Sequence, residues 1–238
     1  FSSVDPTQEQ IAAKIIEQET PHMKISMSHE IGRVGLLERE NATILNACLS
    51  RVSESAVGAF KLAIEDLGLS SSLFLSQNDG TLMDAEFAIK YPVLAISSGP
   101  TNSMRGASFL TGIPDAIVAD IGGTSTDVGI LRNGFPRESS IAVDIGGVRT
   151  NFRMPDVLSI PLGGGSLVRT SPLVIGPESV AMRLMDESLV FGGSVMTTTD
   201  VAVAADMANI GQKSLVSKIS RADVNEALKV MHEMAEGA

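Results

Sequence analysis

The sequence predicts an α/β protein in which a mixed sheet is flanked by helices. Three observations carry that prediction. Apolar residues keep a three-and-four spacing from about Leu37 to Leu67. Short β-branched runs separated by glycine turns fill the centre of the chain. A second helical pattern closes it from about Arg221 to Glu236.

Taken in order, the first segment, DPTQEQIAAKIIEQE, reads as a helix, with Pro6 near its first turn and Ile11, Ile15 and Ile16 on one stripe. MKISMS alternates well enough for a short strand. The long helix from Leu37 carries Ile44, Leu45, Cys48, Leu49, Val52, Val57, Phe60 and Ile64, and Gly68 is its expected stop. Leu73–Leu75 is expected as a strand, MDAEFAIKY as a short helix and PVLAIS as a buried strand. SGPTNSMRGASFLTG is expected as a helix ended by Gly112. AIVADI and DVGIL then form strands around a glycine turn, and RNGFP carries the Asn-Gly hairpin signal. SSIAVDI and DVLSIPL continue the strands, and GGGS at Gly163–Ser166 is another turn. TTTDVAVAADMANIG and the last helix complete the chain, the latter starting at Ser220 with Asp223 three residues on.

These elements predict one domain over residues 1–238. Its first part, 1–112, is helix-rich, and 113–238 carries the central hairpins. The chain has 238 residues, enough to bury a core without staples. Trp is absent and aromatics are 4%, so Val, Ile, Leu, Ala and Met must build that core. The net charge of −10 argues against nucleic acid or an anionic membrane as partner, since phosphate backbones demand Lys and Arg stripes. One cysteine, Cys48, forms no intrachain disulfide and points to a reducing, cytoplasmic location. No apolar run approaches a membrane span and no signal peptide is evident. The first residue is Phe1, which suggests a processed piece or a fragment of a longer polypeptide.

IVADIGGTSTDVGIL, from Ile117 to Leu131, concentrates small and hydroxylated residues between two strands. It is no P-loop, because no Gly-Lys dipeptide occurs in the chain. Nor does it feed a helix, as a dinucleotide turn does. A strand–turn–strand can still hold phosphate if Gly122 and Gly123 take positive φ and aim successive amides into one concavity. Thr124, Ser125 and Thr126 add hydroxyl donors, each hydrogen bond to a charged oxygen contributing about 1.5–3 kcal/mol. Asp120 and Asp127 would repel bare phosphate but suit a hydrated Mg²⁺. The competing reading is a tight hairpin with internally bonded hydroxyls.

DIGGTSTDVGIL resembles the second phosphate loop of the actin, sugar-kinase and heat-shock-chaperone ATPase superfamily. More narrowly, the chain resembles the hydantoinase/oxoprolinase family. Supporting stretches are SHEIGRVGLLERENATILNACL, SSGPTNSMRGASFLTG around Ser98-Gly99-Pro100, IGGVRTNFRMPDVLSIPLGGGSLVR, IGPESV and FGGSVMTTTDVAVAAD. The resemblance covers nearly the whole chain except the last helix. It implies a ribonuclease-H-like sheet, ATP and Mg²⁺ as cofactors, and ATP-driven activation of a cyclic amide or carbonyl, such as hydantoin or 5-oxoproline, for hydrolysis or carboxylation. Family members carry an N-terminal half with its own phosphate loop, and no such loop precedes Ser28. The expectation is therefore one lobe of a two-lobed cleft, partnered by that lobe or by a second subunit and inactive without it.

The implied roles divide as follows. Gly122, Gly123, Thr124, Ser125 and Thr126 take phosphate, and Gly163, Gly164, Gly165 and Ser166 form a second nucleotide-binding turn or a plain flexible one. Asp120 and Asp127 take Mg²⁺, with Asp120 also a candidate catalytic base. His29, Glu30, Ser98 and Gly99 are candidates for the substrate side. Asp144-Ile-Gly-Gly echoes the main turn without its hydroxyls and reads as structural. Thr197 and Thr198 read as an N-cap cluster. A different class stays open: a nucleotide-dependent scaffold or chaperone-like module without a small-molecule substrate. A sugar-kinase-like enzyme is a third reading.

Overall fold

The computed structural model describes residues 2–139 and 143–237. Its first elements are α1 Thr7–Glu19, α2 Ser28–Ile31, α3 Leu37–Asp66, β1 Phe74–Ser76, β2 Leu82–Asp84, α4 Ala85–Lys90 and α5 Ser98–Thr111. The strand-rich centre follows: β3 Ala116–Ile121, β4 Thr126–Arg132, β5 Phe135–Pro136, β6 Val143–Ile145, β7 Val148–Thr150 and β8 Val157–Ile160. The chain then runs through β9 Ser166–Thr170, β10 Leu173–Ser179, α6 Leu184–Glu187, α7 Thr198–Ala204 and α8 Arg221–Glu236. The fold is α/β, as the sequence predicts. Among the described residues, no helix is long and apolar enough to cross a membrane.

The chain divides into two compact units. The first is Phe1–Asp115 with Leu131–Asp156; the second is Ala116–Ile130 with Val157–Ala238.

The first unit is organised by α3. This helix ends as its sequence demands: Gly68 takes φ 65° and the Leu69 amide reaches back to the Ile64 carbonyl at 3.0 Å. Ala42 packs with Val93, Phe152 and Met154, while Val57 packs with Met83, Ala85 and Ala88. Asn46, buried on the same helix, donates to the Lys90 carbonyl at 3.0 Å and accepts from the Val93 amide at 3.3 Å. That bond helps explain one difference from expectation. Pro92 and Val93 of PVLAIS are buried, but Pro92–Ala95 forms a 3-10 turn rather than a strand. Proline at the first position favours the turn, and the Val93 amide is taken by a side chain instead of a ladder. MKISMS is also not a strand: residues 23–27 belong to no helix or ladder, and Ser28 starts α2. Alternation makes a strand only where a partner edge exists. Helix α4 begins two residues later than the start of MDAEFAIKY, because Asp84 caps it by accepting from the Phe87 amide at 2.8 Å.

The expected Asn-Gly hairpin forms, and the second Asp-Ile-Gly-Gly, expected only as structural, makes another. Asn133 and Gly134, at φ 51° and 77°, turn β4 into β5, and Gly146 and Gly147, at 58° and 82°, turn β6 into β7. The second Asp-Ile-Gly-Gly is thus a hairpin turn. Ser140–Ala142 of the expected SSIAVDI strand lie outside the described residues.

The second unit has β4 flanked by β3 on one side and β8 on the other. β4 and β8 run antiparallel, with Thr126 opposite Ile160 and Asp127 opposite Ser159. The β9–β10 hairpin packs with α7 and α8 through Val168, Ile175, Val201, Val224 and Ala227. Helix α8 starts where expected, with the Ser220 hydroxyl accepting from the Asp223 amide at 3.0 Å. Helix α7 is shorter than its apolar run: it stops at Ala204, and Asp206 sits in the left-handed region at φ 63°.

Candidate functional site

The Gly122–Ser125 turn lies in the second unit and joins β3 to β4. The Gly122 amide donates to the Ser125 carbonyl at 2.9 Å and closes it. Neither Gly122 nor Gly123 takes a positive φ, contrary to the sequence expectation. Glycine is required nearby for another reason, the close approach of a second backbone. Gly164 donates its amide to the Gly122 carbonyl at 3.0 Å, and Gly165 donates to the Gly123 carbonyl at 2.7 Å. A Cβ on Gly163 would fall 2.6 Å from the Thr124 nitrogen and 2.7 Å from the Gly122 oxygen. The two glycine turns are stitched backbone to backbone.

This stitch orients the first turn. In a trans peptide the carbonyl and the next amide point in opposite directions. With the Gly122 and Gly123 carbonyls directed at Gly164 and Gly165, the Gly123 and Thr124 amides face away from them. Neither amide, nor that of Ser125, has a partner among the described residues, and Gly122, Gly123 and Thr124 are exposed. A Cβ at Gly123 would meet nothing within 4 Å. Successive outward amides with hydroxyls beside them make an anion-receptive edge. The Thr124 and Ser125 hydroxyls are likewise unpartnered among the described residues.

Thr126 differs from its expected role. Its buried hydroxyl donates to the Leu162 carbonyl at 2.6 Å, which uses its single proton. The GGGS turn also departs from a phosphate nest, since all three glycine amides are engaged internally. Gly163 donates to the buried Ser166 hydroxyl oxygen at 2.9 Å, and Gly164 and Gly165 hold the first turn. These four residues clamp the Gly122–Ser125 turn.

Helix α7 holds the clamp in turn. Thr198 donates its hydroxyl to the Gly163 carbonyl. Thr199 donates both its hydroxyl, at 2.7 Å, and its amide, at 3.0 Å, to the Gly164 carbonyl. Thr197 caps the helix as expected. The fully buried Asp200 carboxylate accepts from the Thr197 amide (2.7 Å) and hydroxyl (2.8 Å) and from the Val190 amide (2.7 Å). Ser179, at the end of β10, adds a second donor to the Gly123 carbonyl at 3.2 Å. Sequence reasoning missed the tethering by Ser179, Thr198 and Thr199. The run of three threonines before Asp200 was the available signal, but a capping role accounts for only part of it.

The two acids sit on adjacent strands. Asp120, on β3, is partly buried and has no hydrogen-bond partner among the described residues. Asp127, on β4, accepts from the Ser159 hydroxyl through Oδ1. No group of three or more His, Cys, Asp or Glu among the described residues could by itself hold a metal ion. Two carboxylates with free oxygens nonetheless fit Mg²⁺, which is held by one or two carboxylates, water and substrate phosphates rather than by an all-protein cage.

The other candidates lie in the first unit, where Glu9 of α1 organises the start of α2. Its carboxylate accepts from the Ser28 amide at 2.6 Å, the His29 amide at 3.2 Å and the His29 ring Nδ1 at 2.6 Å. Glu30 accepts from the Tyr91 hydroxyl at 2.9 Å and from Lys90 at 3.3 Å. His29 and Glu30 therefore serve the packing of their own unit. Partial burial alone would raise the Glu9 pKa, but the donors from His29 and Ser28 outweigh it and bring it from the ordinary 4.5 down to about 2. A depressed carboxylate contributes stability above its unfolded pKa and loses it as pH falls through the folded value. Glu9→Gln is expected to cost on the order of 1–2 kcal/mol at pH 7, allowing for solvent screening. The difference from the parent should shrink from pH 4.5 towards 2, as read by urea unfolding at several pH values. A difference that does not vary with pH would contradict this.

Ser98 and Gly99 open α5 and line a cavity of about 390 Å³ with Phe60, Leu73, Phe74 and Leu75. His29 and Glu30 are not among its lining residues.

Residues 39–237 match the family described as Hydantoinase/oxoprolinase. The chain is similar to the acetophenone carboxylase gamma subunit of Aromatoleum aromaticum, at 25% identity over 223 residues, covering 88% of this chain and 30% of that protein. It is also similar to the caprolactamase subunit alpha of Pseudomonas jessenii, at 27% identity over 214 residues, covering 86% of this chain and 30% of that protein. The crystal structure of the ATP-dependent caprolactamase from Pseudomonas jessenii shares the fold, with a TM-score of 0.72 and 24% identity over 98% of this chain and 37% of that one. Nucleotide-free acetone carboxylase shares it with a TM-score of 0.66 and 19% identity, over 99% of this chain and 36% of that one. The chain spans about 30% of the length of these curated relatives.

Proposed function

This chain belongs to the hydantoinase/oxoprolinase family, and from that premise we propose that its second unit grips the phosphates of ATP in an enzyme that activates a cyclic amide or carbonyl oxygen by phosphorylation. The observation that carries this reading is the pair of outward, unpartnered amides at Gly123 and Thr124, fixed from behind by Gly164 and Gly165. Thr124 and Ser125 supply hydroxyl donors. Thr126, Gly163, Gly164, Gly165 and Ser166 act behind the contact surface, holding its shape.

The chemistry is mainly positioning and charge neutralisation. The substrate oxygen forms a bond to the γ-phosphorus as the bond to the leaving ADP oxygen breaks. For a cyclic amide, water then adds to the activated carbon, the ring C–N bond breaks as the nitrogen takes a proton, and a second water releases phosphate from the acyl phosphate. For carboxylation, loss of an α-proton leaves an enol phosphate whose α-carbon attacks a CO2-level carbon while water takes the phosphoryl group. Asp120 and Asp127 would hold Mg²⁺, which neutralises phosphate charge when bound. Asp120, unpartnered, is the candidate base for the incoming nucleophile. With a chain charge of −10, backbone amides and this cation must supply the attraction for a polyanion.

Ser98 and Gly99 remain candidates for the substrate side, while His29 and Glu30 are better read as packing residues. The relatives' names as alpha and gamma subunits support a partner subunit. Use of ATP and a lone exposed cysteine support a cytoplasmic setting.

The test is calorimetric titration of a magnesium–ATP analogue into the whole protein and its Gly123→Val variant. Added carbons at 123 enter open space, so the fold should tolerate them while the phosphate approach is blocked. Affinity is expected to fall at least about tenfold, a loss of roughly 1.4 kcal/mol. Unchanged affinity in a folded Gly123→Val protein would overturn the assignment of phosphate to this turn.

A further inference from the structure

We propose that Ser159 is a positioning residue for the cation, setting the Asp127 carboxylate in the orientation that lets its second oxygen reach Mg²⁺. The inference rests on the nucleotide reading above and extends it to a residue with no part in the turn.

Asp127 and Ser159 are direct cross-strand partners in the antiparallel β4–β8 ladder. Side chains at such positions project to the same face of the sheet. The Ser159 hydroxyl donates to Oδ1 of Asp127, and Oδ2 has no partner among the described residues. A carboxylate bonded through one oxygen keeps acceptor capacity on the other but loses its freedom to rotate.

The framework around the pair is well determined. At the turn end of the same ladder, Thr126 is opposite Ile160, and its hydroxyl is bonded to Leu162. β8 then runs directly into the Gly163–Ser166 turn that holds Gly122 and Gly123. One strand therefore delivers both the clamp for the phosphate turn and the donor that orients its neighbouring acid. Partners of this kind behind a metal-holding group commonly affect metal affinity by about 10–100-fold. With much of the cation's shell supplied by phosphate and water, the lower end applies here.

The experiment measures affinity for a non-hydrolysable ATP analogue in the whole protein across a magnesium titration, for the parent, Ser159→Ala, Ser159→Thr and Asp127→Asn. Ser159→Ala should raise the half-effective magnesium concentration about tenfold. Affinity for the metal-free analogue should stay unchanged, and Ser159→Thr should restore the parental midpoint. A shifted midpoint in Asp127→Asn with none in Ser159→Ala would overturn this inference and leave the nucleotide reading intact. Equal weakening of metal-free and metal-bound nucleotide in Ser159→Ala would show a merely structural role and overturn it too. No magnesium dependence in the parent, or none lost in Asp127→Asn, would remove the Asp127 assignment and the inference with it.

Discussion

Gly163→Ala is expected to destabilise the second unit by about 3 kcal/mol or more, at the upper end of what overpacking costs. The added methyl would lie 2.6 Å from the Thr124 nitrogen, 2.7 Å from the Gly122 oxygen and 2.8 Å from the Gly123 carbonyl carbon. All three are backbone atoms of a turn whose carbonyls are already bonded to Gly164 and Gly165, so nothing can swing aside. Thermal unfolding should show a midpoint lower by roughly 6–12 °C, with loss of nucleotide affinity. Two neighbours calibrate the result. At Gly164 a methyl would meet the Thr199 hydroxyl at 3.1 Å, a side-chain atom that can yield, and at Gly123 it would meet nothing. Alanine should therefore cost most at 163, less at 164 and little at 123. Equal costs at all three sites would refute the stitched-turn account.

Asp200→Ala should be comparably damaging, by about 3–5 kcal/mol. The carboxylate is fully buried and accepts from the Val190 amide and from both the amide and the hydroxyl of Thr197. Its removal leaves three buried donors without an acceptor, each carrying a desolvation penalty of about 1–3 kcal/mol before relaxation. It also loosens the first turn of α7, from which Thr198 and Thr199 hold the Gly163 and Gly164 carbonyls. Asp200→Asn keeps the shape and one acceptor oxygen, so it should fall between parent and alanine in denaturant midpoint. An alanine variant as stable as the parent would show that the carboxylate network is not what anchors the helix.

The local elements were largely legible in the sequence. The apolar spacing of α3, the Ser220 cap of α8 and the Asn133-Gly134 turn each encode their conformation within a few residues. PVLAIS was misread because its amide at Val93 is claimed by Asn46, a residue on another helix. MKISMS was misread because alternation says nothing about whether a partner edge exists. At the site, the GGTST turn stood out by composition, and the opening of Gly123 to solvent agrees with that reading. The division of labour did not stand out. Gly163–Gly165 resemble a phosphate-binding turn in isolation, and only their pairing with Gly122 and Gly123 shows that their amides face inward. Thr126 follows Ser125 by one position and opens β4, which is enough to turn its hydroxyl to Leu162.

The stitched turns also bear on how this part of the molecule comes into being and how it opens. Thr198 and Gly163 are 35 residues apart in the chain, and the Gly122–Gly123 turn is further still from the helix that secures it. Such contacts form late, after distant segments have been brought together. A turn surface assembled this way has no independent existence as a local hairpin. Its Gly164 and Gly165 amides, shut between two backbones, would exchange their hydrogens with solvent only when the larger cooperative unit opens. The clamped Gly122–Ser125 turn is then among the least mobile parts of its unit, and any motion of that unit must arise elsewhere.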